Sequence, residues 1–351
     1  MFAEAEGFGL KNLGSISEQT IAGAISTGTH GTGIGYGILA TEVVRLQLVN
    51  GLGKVVECGE EDVDPSFFKA ALCSLGALGI ITEVTIRVEP LRHLDALEYP
   101  LPLKEVERNL EKVIHGADHS RFWWFPHSDK CVVWQANKTE PDRRNITSKT
   151  LKSKVRAKYE KAVGYYSFEA VLYASTFAPV VIPYVNRVYR RLLFNSPKHT
   201  EDISYKVFNF DCLFKQYVTE WSIPIDKTQQ ALDGLRALIA KYNFKVHYPI
   251  EVRFVKGDDI WLSPSYGGDT CWIGIIMYRP YGKDVPYKQY FSAFESMMET
   301  LGGRPHWAKV HQWNAETCRK SYPKFDAFCK LRATMDPKRI FSNSYTERVL
   351  D

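Results

Sequence analysis

Residues 26–37 read Ser26-Thr27-Gly28-Thr29-His30-Gly31-Thr32-Gly33-Ile34-Gly35-Tyr36-Gly37. Five of the twelve are glycine, with hydroxyl side chains and one imidazole between them. Glycine adopts positive φ and lets the backbone approach a ligand. Successive exposed N–H groups in such a loop form an anion-binding concavity. The loop is therefore expected to hold a phosphorylated cofactor. Doubly wound dinucleotide folds place G-x-G-x-x-G between a strand and a helix. Here the glycines fall at 28, 31, 33, 35 and 37, and the next segment alternates like a strand. A nicotinamide site of that kind is disfavoured. Apolar residues on both sides (Ile21, Ala22, Ala24 and Ile25; Ile38 and Leu39) predict a packed loop rather than a free one.

Outward from the loop, residues 42–50 alternate as a half-buried strand, Asn50-Gly-Leu-Gly53 is a turn, and residues 54–58 form a second strand. Together they predict a hairpin. A short helix is expected over 65–78, a strand over 80–88 and a boundary at Pro90. Further strands are expected at 121–126, 131–136, 247–255 and 270–278. Helices are expected at 227–242, at 287–301 with Gly302-Gly303 as its stop, and near 320–333. Between them lie a basic stretch, Arg143–Lys161, and an apolar segment, 162–185, broken by Glu169, Pro179 and Pro183. That segment is long enough to span a bilayer, but its prolines and glutamate argue against it. Flanking basic residues, including Lys158, Lys161, Arg187, Arg190 and Arg191, suit a membrane surface. A buried helix pair fits equally well.

The 351 residues carry a net charge of +5, with the basic residues dispersed, and no nucleic-acid motif is present, so no nucleic-acid partner is expected. The seven cysteines form no CxxC pair and read as reduced thiols. No cysteine and histidine cluster has ligand spacing, so no metal site is expected. The first residues lack the charged and apolar regions of a signal peptide.

Two other stretches carry chemistry. In Tyr248-Pro-Ile-Glu-Val-Arg-Phe254, Glu251 and Arg253 lie at i and i+2 and project from one face of a strand. Such a pair can orient a polyhydroxylated substrate and stabilise developing charge. Taken alone, the pair reads better as a structural ion pair on a solvated face, since alternating charge on strands is common. Gly302-Gly-Arg-Pro-His-Trp-Ala-Lys309 brings His306, an indole and Lys309 together after a helix stop. It fits a site beside an electron-accepting ring or an ordinary polar loop about equally.

In order, the chain carries G-S-I-S-x-x-T-I-A-G-A-I-S-T-G-T-H-G-T-G, L-G-x-L-G-I-I-T-E-V-T, P-I-E-V-R-F, M-Y-R-P-Y-G-K-D, G-G-R-P-H-W-A-K and D-P-x-x-x-F-x-N. This series resembles the aldonolactone oxidase group of the vanillyl-alcohol-oxidase-type flavoproteins, over essentially the whole chain. The resemblance implies an α+β fold in three parts. Residues 1–91 are part of an FAD-binding domain of the PCMH type. Residues 92–303 are a cap or substrate domain with a large antiparallel sheet, and 304–351 return to the flavin site. It implies FAD contacts at Ser15, Thr20, Gly23, Thr27, Gly28, Thr29, His30, Gly31 and Ile81. It implies catalytic roles for Glu251, Arg253 and Lys309, with His306 beside them. The implied reaction oxidises the C2 hydroxyl of an aldono-1,4-lactone, with dioxygen as acceptor and hydrogen peroxide as co-product. A cytochrome acceptor is the alternative. The implied location is the endoplasmic reticulum membrane. In the family, an upstream half-domain supplies the pyrophosphate loop and the histidine that binds flavin covalently, so a chain beginning at Met1 is expected to bind FAD weakly or not at all.

Overall fold

The computed structural model describes residues 2–140, 162–210, 215–247 and 249–351. The basic stretch 143–161, Cys212 and Tyr248 lie outside the described residues. Strands β1 (Phe8–Gly9), β2 (Val43–Val49), β3 (Val55–Gly59), β4 (Ile80–Ile86) and β5 (Glu89–Pro90) come first. They are followed by β6 (His93–Pro102), β7 (His119–Phe125), β8 (Lys130–Thr139), β9 (Lys198–Ile203), β10 (Gln216–Pro224), β11 (Ile250–Val255), β12 (Thr270–Tyr278) and β13 (Arg304–Pro305).

The expected hairpin forms as β2–β3. Asn50 closes its turn by accepting from the N–H groups of Leu52 and Lys54, each at 3.0 Å. β4 joins the other side of β2, giving a three-stranded sheet in the order β3-β2-β4. Pro90 is not a simple break, because β5 pairs with β1. The expected helix over 65–78 is confined to Ser66–Ala71.

The larger sheet has eight strands in the order β13-β10-β12-β11-β7-β8-β6-β9, antiparallel at every pairing. Its period-two pattern divides it into two faces. Phe122, Trp124, Trp221, Ile223, Val252, Phe254, Cys271, Ile273 and Ile275 point into the main core. There they share one cluster with Ala231, Leu232 and Leu235 of helix Thr228–Lys241 and with Phe291, Phe294 and Met298 of helix Lys288–Thr300. Both helices lie where the sequence predicts, and Gly302 (φ 74°) ends the second as Gly303 N donates to Met298 O at 2.9 Å. The core runs from Ile25 to Leu350 and so joins all three expected parts.

The apolar segment forms a helix at Phe168–Ser175, then a break containing Pro179, then a helix at Ile182–Leu193. Phe168, Leu172, Val185 and Tyr189 pack against Phe125, Val132 and Tyr278 of the sheet. No described helix is long and apolar enough to cross a membrane.

The helix expected near 320–333 is two helices, Ala315–Ser321 and Phe325–Met335. Pro323 disfavours helical geometry at the residue before it, and Tyr322 is extended (φ −112°, ψ 110°). Asp336-Pro-Lys-Arg-Ile-Phe-Ser-Asn343 is a structural turn. The Asp336 carboxylate accepts from the N–H groups of Ile340 and Phe341, both at 2.8 Å, and Asn343 caps helix Ser344–Leu350 in a capping box. Cys58, Cys73, Cys131, Cys271, Cys318 and Cys329 are free thiols.

Candidate active site

Antiparallel register sets polar residues in two rows across the face of the large sheet opposite helices Thr228–Lys241 and Lys288–Thr300. The first runs Glu220 (β10), Gly274 (β12), Glu251 (β11), Trp123 (β7). His306 follows β13 at the Glu220 end and donates its backbone N–H to Glu220 O at 2.8 Å. The second row runs Ser222, Trp272, Arg253, Arg121, Trp134. Most of these residues line a cavity of about 1280 Å³, closed on its other side in part by Ser15, Gln19, Thr29 and His30 and reached by Lys309.

Glu251 is gripped at both carboxylate oxygens. Arg253 pairs with Oε2 through a short contact. Trp123 Nε1 donates to Oε1 at 3.2 Å, and Arg121 Nη1 lies 3.6 Å from Oε1. Both guanidiniums also donate to Ser15 Oγ, Arg121 at 3.3 Å and Arg253 at 3.2 Å. Burial alone raises the pKa of Glu251. The charges of Arg253 and Arg121 outweigh it and hold the carboxyl below its usual range.

Glu220 has different neighbours. His30 Nε2 is 3.4 Å from its Oε1, and the His30 ring lies 3.9 Å from Trp272 and 5.8 Å from His306, centroid to centroid. Burial again opposes ionisation of Glu220, but His30 and Arg253 hold it well below the usual carboxylate range. His306 moves the other way, pushed down to about 3 by burial, although Glu220 favours its charged form. One ligand atom from each of His30, Glu220 and His306 lies within 4.8 Å of the others. No local spacing in the sequence announces this cluster, since its members come from three distant segments. Among the described residues, Lys309 has no ion-pair partner, which leaves an ammonium on the cavity wall.

The glycine-rich loop is packed, as its flanks predict, and two of its glycines permit close contact with the rest of the protein. A Cβ at Gly31 would lie 2.1 Å from Asn12 Oδ1. Gly33 (φ 127°) bridges to Val255 and donates to Phe254 O at 2.8 Å, which brings the loop against β11. Gly31 and Gly33 thus dock the loop on Asn12 and strand β11, and the docking brings His30 to Glu220.

Ser15, Thr29, His30, Glu251, Arg253, His306 and Lys309 are gathered at one cavity. Thr20, Gly23, Thr27, Gly28, Gly31 and Ile81 do not line it. Thr20 caps the short helix Ile21–Ser26 by accepting from Gly23 N at 3.2 Å, and Thr27 donates to Gly23 O at 3.0 Å. Ile81 sits on β4 opposite Leu48. Sequence reading overlooked Glu220 and Arg121. Each had a signal: Thr219, Trp221 and Ile223 alternate around Glu220, and Arg121 stands two residues before Trp123 on an aromatic strand.

An antiparallel sheet whose polar face closes a large cavity with one buried carboxylate, one half-buried carboxylate and two guanidiniums defines an enzyme built for a polyhydroxylated substrate. The model of the D-arabinono-1,4-lactone oxidase family matches residues 84–349. L-gulonolactone oxidase of Mus musculus is 43% identical over 348 residues, which is 99% of this chain and 77% of the relative. L-gulono-1,4-lactone dehydrogenase of Mycobacterium tuberculosis is 33% identical over 342 residues, 97% of this chain and 76% of the relative. Among solved structures, cholesterol oxidase from Brevibacterium sterolicum superposes with a TM-score of 0.73 at 16% identity, covering 100% of this chain and 78% of that one, a likeness of fold. The chain belongs to the D-arabinono-1,4-lactone oxidase family.

Proposed function

We propose that this protein oxidises the C2 hydroxyl of an aldono-1,4-lactone to a ketone, using FAD and passing the electrons to dioxygen. The observation that carries this reading is Glu251, held by Arg253 and Arg121 on the wall of a cavity large enough for a lactone and a ring cofactor. The names of the relatives supply the substrate class.

The residues present fit a flavin. Lys309 offers a cation with no ion-pair partner among the described residues, suited to an electron-rich ring, and Thr29 and His30 line the same space. FAD, when bound, supplies the two-electron acceptor. Arg253 binds the lactone oxygens, and its charge is permanent. Glu251 accepts a hydrogen bond from the C2 hydroxyl and orients it. The clamped carboxylate is a weak base, but a carbonyl forming at C2 makes the hydroxyl proton far more acidic than a carboxylic acid. Glu251 Oε therefore takes that proton as the C2–O double bond forms. The lactone loses two electrons and two protons, and dioxygen takes up both to give hydrogen peroxide.

The test is turnover of an aldonolactone with one peroxide formed per lactone, and its loss in Glu251→Gln. A second reading, transfer to a cytochrome, is favoured by the relative named as a dehydrogenase. Cytochrome reduction without peroxide would select it.

We further propose that the protein rests on a membrane surface, that of the endoplasmic reticulum. Tyr184, Val188 and Leu192 recur at i, i+4 and i+8 on helix Ile182–Leu193, 61%, 51% and 56% exposed, with Phe177 and Val180 beside its start. Arg187 and Arg191 on the same helix suit anionic headgroups. Co-sedimentation with phosphatidylserine-containing vesicles is expected, and a triple change of Tyr184, Val188 and Leu192 to Ser should abolish it. Unchanged co-sedimentation of that variant would contradict the surface.

A further inference from the structure

Arg121 stands opposite Arg253 across the β7–β11 pairing. Its guanidinium lies over three aromatic rings, 4.4 Å from the centroid of Trp134, 4.7 Å from Trp123 and 5.0 Å from Phe210. It is 4% exposed, against 9% for Arg253. Such a group costs much to desolvate; the main core lies on the other face of the sheet, and Trp134 and Trp123 beside Arg121 belong to a smaller apolar cluster on its own face.

The contacts of Arg121 all converge on residues already assigned to the site. Nη1 donates to Ser15 Oγ at 3.3 Å and faces Glu251 Oε1 at 3.6 Å. Trp123, one of its stacking partners, donates to the same Glu251 oxygen. Phe210, another, donates its backbone N–H to Ser15 O at 3.2 Å. One guanidinium thus ties together β7, β8, the segment around Phe210, the Ser15 loop and the carboxylate on β11. Stacking fixes the plane of the guanidinium, and that plane fixes the direction of its N–H groups.

We propose that Arg121 is the positioning residue of this site. Acting through Glu251 and Ser15, it sets the rotamer and the ionised state of the carboxylate that receives the substrate proton. The proposal rests on the lactone oxidation described above. Arg253 holds the Oε2 side and faces the substrate; Arg121 holds the Oε1 side and faces the protein. The charged groups acting on Glu251 are Arg253 from its own strand, Arg121 from β7 and Glu220 from β10, the last opposing the other two. Glu98 from β6 acts on Arg121. Removing Arg121 leaves the half-buried Glu251 with one guanidinium in place of two.

The experiment compares Arg121→Met and Arg121→Lys with the parent and with Glu251→Gln in the flavin-loaded enzyme. It measures the rate of cofactor reduction by lactone from pH 4 to pH 9. It also follows, by infrared difference spectroscopy, the protonated-carboxyl band that Glu251→Gln removes. In Arg121→Met, the acid limb and the infrared titration are expected to move up together by about one pH unit, and the plateau rate to fall on the order of 100-fold. In Arg121→Lys, the restored charge should return the limb toward its parent position, while the plateau stays low because an ammonium cannot hold both oxygens in the stacked geometry. If Arg121→Met does not fold, the Lys variant decides by that split between limb and plateau. A parent-like limb and carboxyl titration in Arg121→Met, or a parent-like plateau in Arg121→Lys, would overturn the proposal. Parent-like reduction in Glu251→Gln would instead refute the oxidation mechanism itself.

Discussion

Two carboxylates occupy the same row of the large sheet, with only Gly274 between them, yet they have different neighbours. Glu251 is held by guanidiniums and an indole, groups whose charge and hydrogen-bonding capacity do not change across the physiological range. Glu220 faces the imidazole of His30, with that of His306 close by. Glu220 is buried and Glu251 half-buried, and both ionise more readily than an ordinary carboxyl, for different reasons. Residue type alone therefore assigns neither role. The fixed clamp suits a group that must present one oxygen in one direction. The imidazole set suits a fixed anion that organises its surroundings.

The largest expected effect separates the two. Glu251→Gln keeps the size of the side chain but removes its charge, and lactone oxidation should fall by about two to four orders of magnitude. Glu220→Gln should cost about tenfold or less, mostly in KM. Steady-state kinetics on both variants checks this, and equal losses would erase the distinction.

A smaller effect is expected at the gap between them. A Cβ on Gly274 would meet Glu220 Cγ at 3.6 Å, an ordinary contact, so Gly274→Ala should be nearly neutral. Gly274→Val puts branches into the space between the carboxylates. KM for the lactone should rise about tenfold, the scale set by one or two misplaced methyl groups in a pocket. A Val variant with parent KM would show that substrate does not cross this gap.

The smallest effect is on stability, and it tests the histidine side. Burial pushes His119, His127 and His247 down to about 4, and His306 and His311 down to about 3. In the unfolded chain each takes up a proton near pH 6.5, where the native state does not. Stability is thus lost as pH falls below about 6.5. Burial raises Glu295 to about 7 and Asp258 to about 6, which acts in the opposite sense between roughly pH 4 and pH 7. With five histidines against two carboxyls, unfolding free energy should fall by about 2–4 kcal/mol per pH unit between pH 6 and pH 4.5. Urea titrations at these pH values measure it, and stability that is flat or rising on acidification would contradict the burial of these rings.

The sequence revealed much of the Glu251 side and little of the Glu220 side, for a physical reason. Glu251 and Arg253 are two apart on one strand, so local period-two geometry is enough to place them together. His30, Glu220 and His306 meet only through the pairing of β10 with β13 and the docking of the glycine loop on β11. No window of residues contains that information. Arg121 lay within reach, since Arg121, Trp123 and Phe125 alternate as clearly as Glu251 and Arg253, but the aromatic residues drew attention from the charge. The glycine loop teaches a related point. Gly31 and Gly33 signal close approach correctly, but what approaches is Asn12 and β11, and spacing does not distinguish protein from ligand.

The most direct measurement is anaerobic stopped-flow reduction of the bound flavin by an aldonolactone, in the parent, Glu251→Gln and Glu220→Gln. The clamp on Glu251 predicts reduction at least about 100-fold slower in Glu251→Gln and within about tenfold of the parent in Glu220→Gln. Reduction in Glu251→Gln at the parent rate, or a collapse confined to Glu220→Gln, would contradict it.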